Sequence, residues 1–221
     1  MPKTLTYQQQ LDLILEGLSQ TAAAAPDNRK PSLLLHACCA PCSSYVIEYL
    51  SAYFDITIYY YNPNIYPEAE YSRRLNELKK FLPEFCKANG RAVKLIEASY
   101  NPEEFFDATN VNQEPELKAE PERGERCRRC YEFRMKKAYE YAVRNDFDWF
   151  TTTLSISPFK DVDKINVIGK QLETCGKTKF LTSDFKKKNG FKRSLELSKE
   201  YGLYRQDYCG CVFSKESNLL K

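Results

Sequence analysis

Glycine is scarce in this chain, and it is missing where nucleotide chemistry would require it. Of the 221 residues, 8 are glycine, and none of them lies between Gly17 and Gly90. A phosphate-binding loop after the first strand of an α/β domain needs glycines, because backbone N–H groups must approach the phosphates closely. The sequence therefore argues against ATP use. Since no GxGxxG pattern occurs, it argues equally against a tightly bound dinucleotide.

Long apolar runs and a strong net charge are also missing. Nowhere do about 18 consecutive apolar residues occur, and the first residues contain no apolar stretch of the length that a signal peptide needs. We expect a soluble cytoplasmic protein. The formal net charge of +3 is too small to indicate a polyanionic partner. Two basic groups, at 126–137 and 185–193, are typical of solvated faces when taken alone.

Cysteine, by contrast, is abundant and grouped. Seven of the nine cysteines fall into three groups, which are CCxxC at 38–42, CRRC at 127–130 and CGC at 209–211. Cytoplasmic thiols stay reduced, so such groups indicate metal binding or redox chemistry rather than a disulfide framework. Cys86 and Cys175 stand alone on apolar helical faces, where a free cysteine acts as a small hydrophobe.

Short apolar runs alternate with helical patterns, which predicts an α/β fold. Strands are expected at 32–37, 55–61, 91–97, 148–153 and 177–182, and helices at about 7–20, 42–53, 67–89, 127–145 and 161–175. Strands separated by helices pair in parallel through right-handed crossovers, which gives a doubly wound, mostly parallel sheet. Ligands of such a sheet bind at the carboxyl ends of its strands, where the cysteines at 38–42 are expected to lie.

The sequence predicts one main domain with two less regular segments. Residues 1–30 are expected to form an N-terminal helix and loop ahead of a single catalytic domain at 31–221. Within that domain, 107–126 has no apolar period and is predicted to be a polar excursion or mobile loop. The C-terminal extension, from 203 onwards, is expected to pack back and bring its cysteines to the other thiols.

Seven grouped thiols allow more than one kind of metal site. A structural zinc site is closed by four ligands, and iron–sulfur clusters are also held by four cysteines. The three remaining thiols would define a second, open site able to bind a substrate oxygen. The single histidine, His36, is expected to make hydrogen bonds rather than to ligate a metal. Two rival functions use the same thiols, a zinc-stabilised RNA-binding module and a thiol–disulfide oxidoreductase with CRRC as its redox pair.

The chain resembles the non-cobalamin epoxyqueuosine reductases of the QueH type over about residues 36–213. Five motifs carry the resemblance in the same order: LLLHACCAPCSS, YYYNPNIYPEAEYSRR, ERCRRCYEFRM, FTTTLSISPFKD and LYRQDYCGCVFS. The resemblance implies a tRNA-modifying oxidoreductase that reduces epoxyqueuosine to queuosine at the wobble position of a GUN anticodon. It also implies a [4Fe–4S] cluster beside a mononuclear metal, iron or zinc, in a fold related to the ATP-pyrophosphatase (HUP-like) α/β proteins. An external one-electron donor of the ferredoxin or flavodoxin type would refill the cluster.

Carried onto this chain, the resemblance assigns the metal ligands to the grouped cysteines, which are Cys38, Cys39, Cys42, Cys127, Cys130, Cys209 and Cys211. We place Cys127 and Cys130 on the cluster. All of the seven except Cys42 are candidates for the cluster. Neighbouring residues at a strand end point in opposite directions, so Cys38 and Cys39 are expected to serve different metals.

The same motifs supply candidates for the substrate pocket. These are Asn62, Asn64, Arg74, Ser155 and Arg205. The reaction also needs a proton donor, for which the candidates are Lys160, Asp161 and Tyr71. With tRNA as the substrate, the basic residues Arg126, Arg128, Arg129 and 186–188 are expected to hold phosphates.

Overall fold

The structure is a computed structural model that describes residues 4–24, 29–174 and 176–219. Its strands are Ser32–His36 (β1), Asp55–Tyr60 (β2), Val93–Glu97 (β3), Trp149–Thr152 (β4) and Lys179–Phe180 (β5). Its α-helices are Tyr7–Ala24 (α1), Ala40–Leu50 (α2), Glu68–Asn89 (α3), Glu103–Thr109 (α4), Glu116–Ala119 (α5), Glu125–Arg144 (α6), Val162–Glu173 (α7), Gly190–Glu200 (α8) and Val212–Leu219 (α9). None of these described helices is both long and apolar enough to cross a bilayer.

The five strands form one sheet in the order β3-β2-β1-β4-β5, and every pairing is parallel. The predicted doubly wound sheet is therefore confirmed. The direction of winding reverses between β1 and β4, whose last residues, His36 and Thr152, are register partners. In such sheets the crevice outside this reversal point is where ligands bind.

Alternating side chains of the central strand separate two apolar layers. Leu33 and Leu35 are buried on one face with residues of α1, α2 and α3. Leu34 is buried on the opposite face with residues of α6 and α7, such as Met135 and Ile165. Each fully buried leucine stabilises the fold by about 1.5 to 3 kcal/mol, so the strand is held from both sides.

The segment 107–126 differs from its prediction as a loop. It contains the end of α4 and all of α5, and Val111 and Leu117 are buried in a third apolar cluster with Phe105 and Phe213. These apolar residues are too widely spaced to show a period, and they are buried by the C-terminal extension. The expected return of that extension is confirmed, since Cys211 belongs to the same cluster as Cys130. Cys175 lies outside the described residues.

Candidate active site and thiol centres

The first thiol group consists of Cys38, Cys39 and Cys42. Their sulfur atoms all lie within 4.8 Å of one another, and those of Cys38 and Cys39 are 3.8 Å apart. Three sulfurs bound to one tetrahedral ion at about 2.3 Å would lie about 3.8 Å from one another. This group therefore fits a single metal ion.

Convergence of the two adjacent cysteines corrects the expectation that they point apart. The helix α2 begins at Ala40, two residues earlier than predicted, and Cys39 is its N-cap in an extended conformation. The backbone thus turns directly after Cys39, and Cys42 comes round in the first helical turn. The positive end of the helix dipole favours thiolates at this position.

Hydrogen bonds within this group move the pKa values of its three thiols apart. Hydrogen bonds from the thiols of Cys39 and Cys42 hold the pKa of Cys38 well below its ordinary value. The hydrogen bond between Cys39 and Cys38 raises the pKa of Cys39 to about 12. The Cys38 sulfur is also 3.7 Å from Thr153 Oγ1, which follows β4, so the group lies across the reversal point of the sheet.

The second thiol group consists of Cys127 and Cys130 at the start of α6 and of Cys209 and Cys211 before α9. Electrostatic interactions link Cys127 and Cys130 to Cys209, and the Cys211 thiol donates to Cys209, which lowers the pKa of Cys209 well below its ordinary value. Among the described residues, only the first group brings three sulfurs within 4.8 Å of each other. The wider spacing of these four thiols fits a cluster better than a single ion.

Glu120 positions the helix that carries Cys127 and Cys130. Its carboxylate accepts hydrogen bonds from the backbone N–H groups of Glu125 and Arg126, at 2.6 and 2.7 Å. These groups at the start of α6 have no partners within the helix, and a carboxylate also complements the helix dipole. The cap therefore fixes the first turn of α6, where Cys127 lies.

Arg74 and Gly210 position the cysteines of the extension. The Arg74 guanidinium donates to the carbonyl of Cys209 at 3.1 Å and forms an ion pair of 2.6 Å with Glu70. Gly210 has a φ of 112°, and a Cβ there would lie 2.9 Å from Arg74 Nη1. The positive φ favours glycine at this position. The turn between the two cysteines thus closes directly against Arg74.

Three buried or partly buried cations face the thiols, namely Arg74, Arg134 and Lys160. Burial alone would lower the pKa of Lys160, but the charge of Cys209 raises it well above its ordinary value. Arg134 Nη1 lies 4.0 Å from the sulfur of Cys130. Buried cations are costly unless negative charge compensates them. The arrangement therefore suits thiolates, which are the form that binds metals.

His36 is held by protein groups on both ring nitrogens. Nε2 is 3.1 Å from the carbonyl of Tyr61, and Nδ1 is 2.8 Å from Thr152 Oγ1. A carbonyl only accepts, so Nε2 carries the proton and Nδ1 accepts from the threonine hydroxyl. Burial, together with the nearby Arg134 charge, lowers the pKa of His36 to about 3. A neutral ring with both nitrogens engaged makes hydrogen bonds and has no free position for a metal.

A cavity of about 720 Å³ opens beside both thiol groups. Its lining includes Cys38 and Cys42 of the first group and Cys209 of the second. Arg74, Lys160 and Gln206 also line it, and the Gln206 amide donates to the Cys39 sulfur at 3.0 Å. The volume lies in the range of small-molecule sites, about 300 to 1,000 Å³. The thiols therefore face a space large enough for a nucleoside-sized ligand.

Some of the predicted site residues line this cavity and others do not. Arg74, Arg205 and Lys160 do so. Asn62 is buried outside the lining, and its amide donates to the carbonyl of Ala37. Asn64 is buried, and its amide has no partner among the described residues.

Three other candidates lie outside the cavity lining and make hydrogen bonds within the fold. Ser155 is buried and forms a hydrogen bond of 2.9 Å with Ser183. Tyr71 donates to the carbonyl of Ala98, and its ring stacks on Tyr100 at 4.2 Å. Asp161 is the N-cap of α7, because its Oδ1 accepts from two backbone N–H groups at 3.1 Å.

Most of the basic residues that were expected to hold phosphates make ion pairs or hydrogen bonds within the fold. Arg128 pairs with Glu125 and Glu132, and Arg129 pairs with Glu114 and Glu125. Three further members also have partners. Arg126 donates to backbone carbonyls, Lys186 pairs with Asp184, and Lys188 pairs with Asp12.

The burial of the CRRC cysteines argues against thiol–disulfide exchange by this pair. Cys127 and Cys130 are both buried, and burial raises the pKa of each thiol, that of Cys130 to about 11. Thiol–disulfide exchange needs an accessible thiol of lowered pKa. This pair therefore does not have the properties of a redox dithiol.

Arg134 is the functional candidate that sequence reasoning missed. It follows Cys130 by four positions, so both side chains lie on one face of α6. That spacing could have identified it. Phe159 was also missed. It lines the cavity and is 62% exposed.

A protein-family model described as "Epoxyqueuosine reductase QueH" matches residues 33–217. The chain is 46% identical to the epoxyqueuosine reductase QueH of Streptococcus pyogenes serotype M1, over 84% of this chain and 71% of that protein. It is 42% identical to the protein of the same name from Staphylococcus epidermidis, over 85% of this chain and 78% of that protein. Among solved structures, the U34-tRNA thiolase NcsA from Methanococcus maripaludis with its [4Fe-4S] cluster aligns at 13% identity. That alignment covers 98% of this chain and 76% of the other, and its TM-score of 0.41 supports no argument about function.

Proposed function

The chain belongs to the epoxyqueuosine reductase QueH family, and from that membership we propose that it reduces the epoxide of epoxyqueuosine in tRNA to the alkene of queuosine. The observation that supports this cavity as the reaction site is that residues of both thiol groups line it. Its substrate is a tRNA with a GUN anticodon, modified at the wobble position, so the reaction takes place in the cytoplasm.

The residues fit two metal groups. The four thiols of the second group would hold a [4Fe–4S] cluster, and the three of the first group would hold a single ion, iron or zinc, with a coordination position left open. When bound, the cluster supplies electrons one at a time and the ion acts as a Lewis acid. An external ferredoxin or flavodoxin would return electrons to the chain. Removal of the epoxide oxygen as water takes two electrons and two protons.

The chain's own residues would bind and orient the substrate. A wobble base is single-stranded and can be turned out into a pocket. The cavity would receive that nucleoside and exclude water from the epoxide. Arg205 and Lys118 are exposed at its lining, where they can contact neighbouring phosphates. The ammonium of Lys160 lies in the lining beside Cys209 and is the proposed source of a proton for the leaving oxygen.

The function is tested by chemistry on tRNA. Protein reconstituted with iron and sulfide without oxygen, given a low-potential reductant, should convert tRNA-bound epoxyqueuosine to queuosine without cobalamin, ATP or a nicotinamide. Mass analysis of the digested tRNA should show a loss of about 16 mass units, one oxygen, at the wobble nucleoside alone. A cobalamin-dependent reductase serves as the control for the substrate. If iron-replete, reduced protein left the epoxide intact while that control consumed it, the reductase proposal would be wrong.

A further inference from the structure

Arg134 is a buried cation in the middle of the site. It lies on α6, one helical turn after Cys130, and only 2% of it is exposed. Lining residues such as Arg74 reach the cavity, whereas Arg134 lies behind the thiols, outside the cavity lining. Arg134 can therefore interact with the thiols but not directly with a ligand in the cavity.

The partners of Arg134 are unusual for a buried guanidinium. Nη2 donates to Asn62 Oδ1, and Nη1 lies 4.0 Å from the Cys130 sulfur. Its Nε has no partner among the described residues, and none of the described carboxylates lies within 4.0 Å of it. Asn62 is itself fixed by its hydrogen bond of 2.9 Å to the carbonyl of Ala37, just before Cys38. The guanidinium is thus held by a neutral side chain and not by an acidic one.

The negative charge that compensates the buried Arg134 guanidinium must come from the thiols. Removing a cation from water without a paired charge costs several kcal/mol, so an unpaired buried arginine would be strongly destabilising. The sulfurs that interact electrostatically with Arg134 as thiolates, the form in which they bind metal, are those of Cys130, Cys38 and Cys209, which belong to both thiol groups. His36, which is nearby, is neutral. One buried cation therefore faces both groups at once.

We propose that Arg134 is a positioning residue whose buried guanidinium is the shared countercharge of the two thiol groups and sets the reduction potential of the cluster held there. The inference rests on the cofactor named in the proposed function. Reduction adds one negative charge to the site. In a poorly screened interior, a nearby cation stabilises the reduced form and raises the potential. Without that cation, an external donor would have to work at a lower potential.

The test compares three variants of the full chain, each reconstituted with iron and sulfide without oxygen. Arg134→Gln removes the charge, and Arg134→Lys keeps it. Arg144→Gln removes an exposed charge at the far end of the same helix. Midpoint potentials are measured by spectroelectrochemical titration without tRNA, and iron and sulfide are counted per chain. We expect the potential to shift downwards in Arg134→Gln, and to stay close to wild type in Arg134→Lys and Arg144→Gln.

Each outcome decides the proposal. Loss of iron from Arg134→Gln but not from Arg134→Lys would support the countercharge role, because only the lysine variant keeps a positive charge at position 134. An unchanged potential in iron-replete Arg134→Gln would overturn it, and so would equal loss of iron from both Arg134 variants. A wild-type chain that takes up no iron would overturn this proposal together with the cofactor. A wild type that holds its cluster and leaves the epoxide intact would overturn the proposed function alone.

Discussion

The guanidinium of Arg74 donates a hydrogen bond of 3.1 Å to the backbone carbonyl of Cys209, a residue 135 positions further along the chain. This contact ties α3, which is part of the core, to the turn that carries two candidate ligands. Arg74 is itself 1% exposed and pairs with Glu70. The geometry of the second thiol group therefore depends on a side chain that bears no thiol.

Replacement of Arg74 by Gln should destabilise the protein and impair cluster binding. The change leaves Glu70, whose side chain is only 11% exposed, without its partner, which costs on the order of 3 kcal/mol. Urea unfolding of the metal-free, reduced chain measures the stability, and iron and sulfide per chain measure the binding. The control is Arg73→Gln. That residue is exposed and lies over the ring of Tyr204, so its loss should cost less than about 1 kcal/mol. Equal effects of the two changes would contradict the role given to Arg74.

The two thiol groups should differ in what they lose on substitution. Cys130→Ser should abolish most iron and all sulfide, because it removes a ligand of the proposed cluster. Cys42→Ser should remove the single ion and leave the sulfide, because its group fits one metal. Cys86→Ser is the matched control, since Cys86 is packed against the apolar core on α3. It should alter only stability. Loss of sulfide from Cys42→Ser to the same extent as from Cys130→Ser would show that the seven thiols do not divide in this way.

Removal of the Glu120 cap should loosen the start of α6. Replacing a helix-capping side chain with Ala costs about 0.5 to 2 kcal/mol, and Glu120→Gln should cost less because one oxygen acceptor remains. The measurements are the urea midpoint of the reduced chain and its iron content. Glu116→Ala, on the exposed surface of α5, should change neither beyond error. If Glu120→Ala unfolds at the wild-type midpoint, the carboxylate does not stabilise the helix.

Among the proton-donor candidates, only Lys160 should affect the reaction itself. Lys160→Met removes an ammonium that lines the cavity and donates to Cys209, and turnover should fall by roughly 100-fold or more, since a general acid typically contributes about 100- to 10,000-fold. Tyr71→Phe and Asp161→Asn should turn over within about twofold of wild type, because neither side chain lines the cavity. Single-turnover rates with reduced protein measure this directly. A larger loss in Tyr71→Phe than in Lys160→Met would reverse the assignment.

The sheet and the place of the site could be predicted because they depend on local patterns. Each buried strand is a short apolar run, and parallel order places CCxxC at the reversal point between β1 and β4. The direction of Cys38 and Cys39 could not be predicted, since it depends on α2 beginning at Ala40. The hydrogen-bond partners of Arg134 and Arg129 could not be predicted either. Asn62 is 72 positions from Arg134, and Glu114 is 15 positions from Arg129. Pairings across such distances follow from the tertiary structure alone.

Phe159 should contribute to binding of the tRNA rather than to chemistry. It is 62% exposed on the lining of the cavity, in a turn fixed by a hydrogen bond of 3.3 Å from its own N–H to Ser157 Oγ. An aromatic face held outwards beside a nucleoside-sized cavity suits stacking on a neighbouring base of a single-stranded loop. Such stacking contributes about 1 to 3 kcal/mol per base, so Phe159→Ala should weaken tRNA binding by roughly 5- to 150-fold.

The matched experiment uses tRNA carrying epoxyqueuosine at one fixed salt concentration, because phosphate contacts make affinity salt-dependent. Phe159→Ala should raise KM with little change in single-turnover rate at saturation, and Phe159→Trp should restore KM because it keeps a stacking face. Val167→Ala is the control, since Val167 is 52% exposed on α7 and does not line the cavity. If Phe159→Ala and Val167→Ala bind tRNA equally well, then Phe159 makes no contact with the anticodon loop. The nucleoside would in that case be held only by groups inside the cavity, such as Arg74 and Gln206.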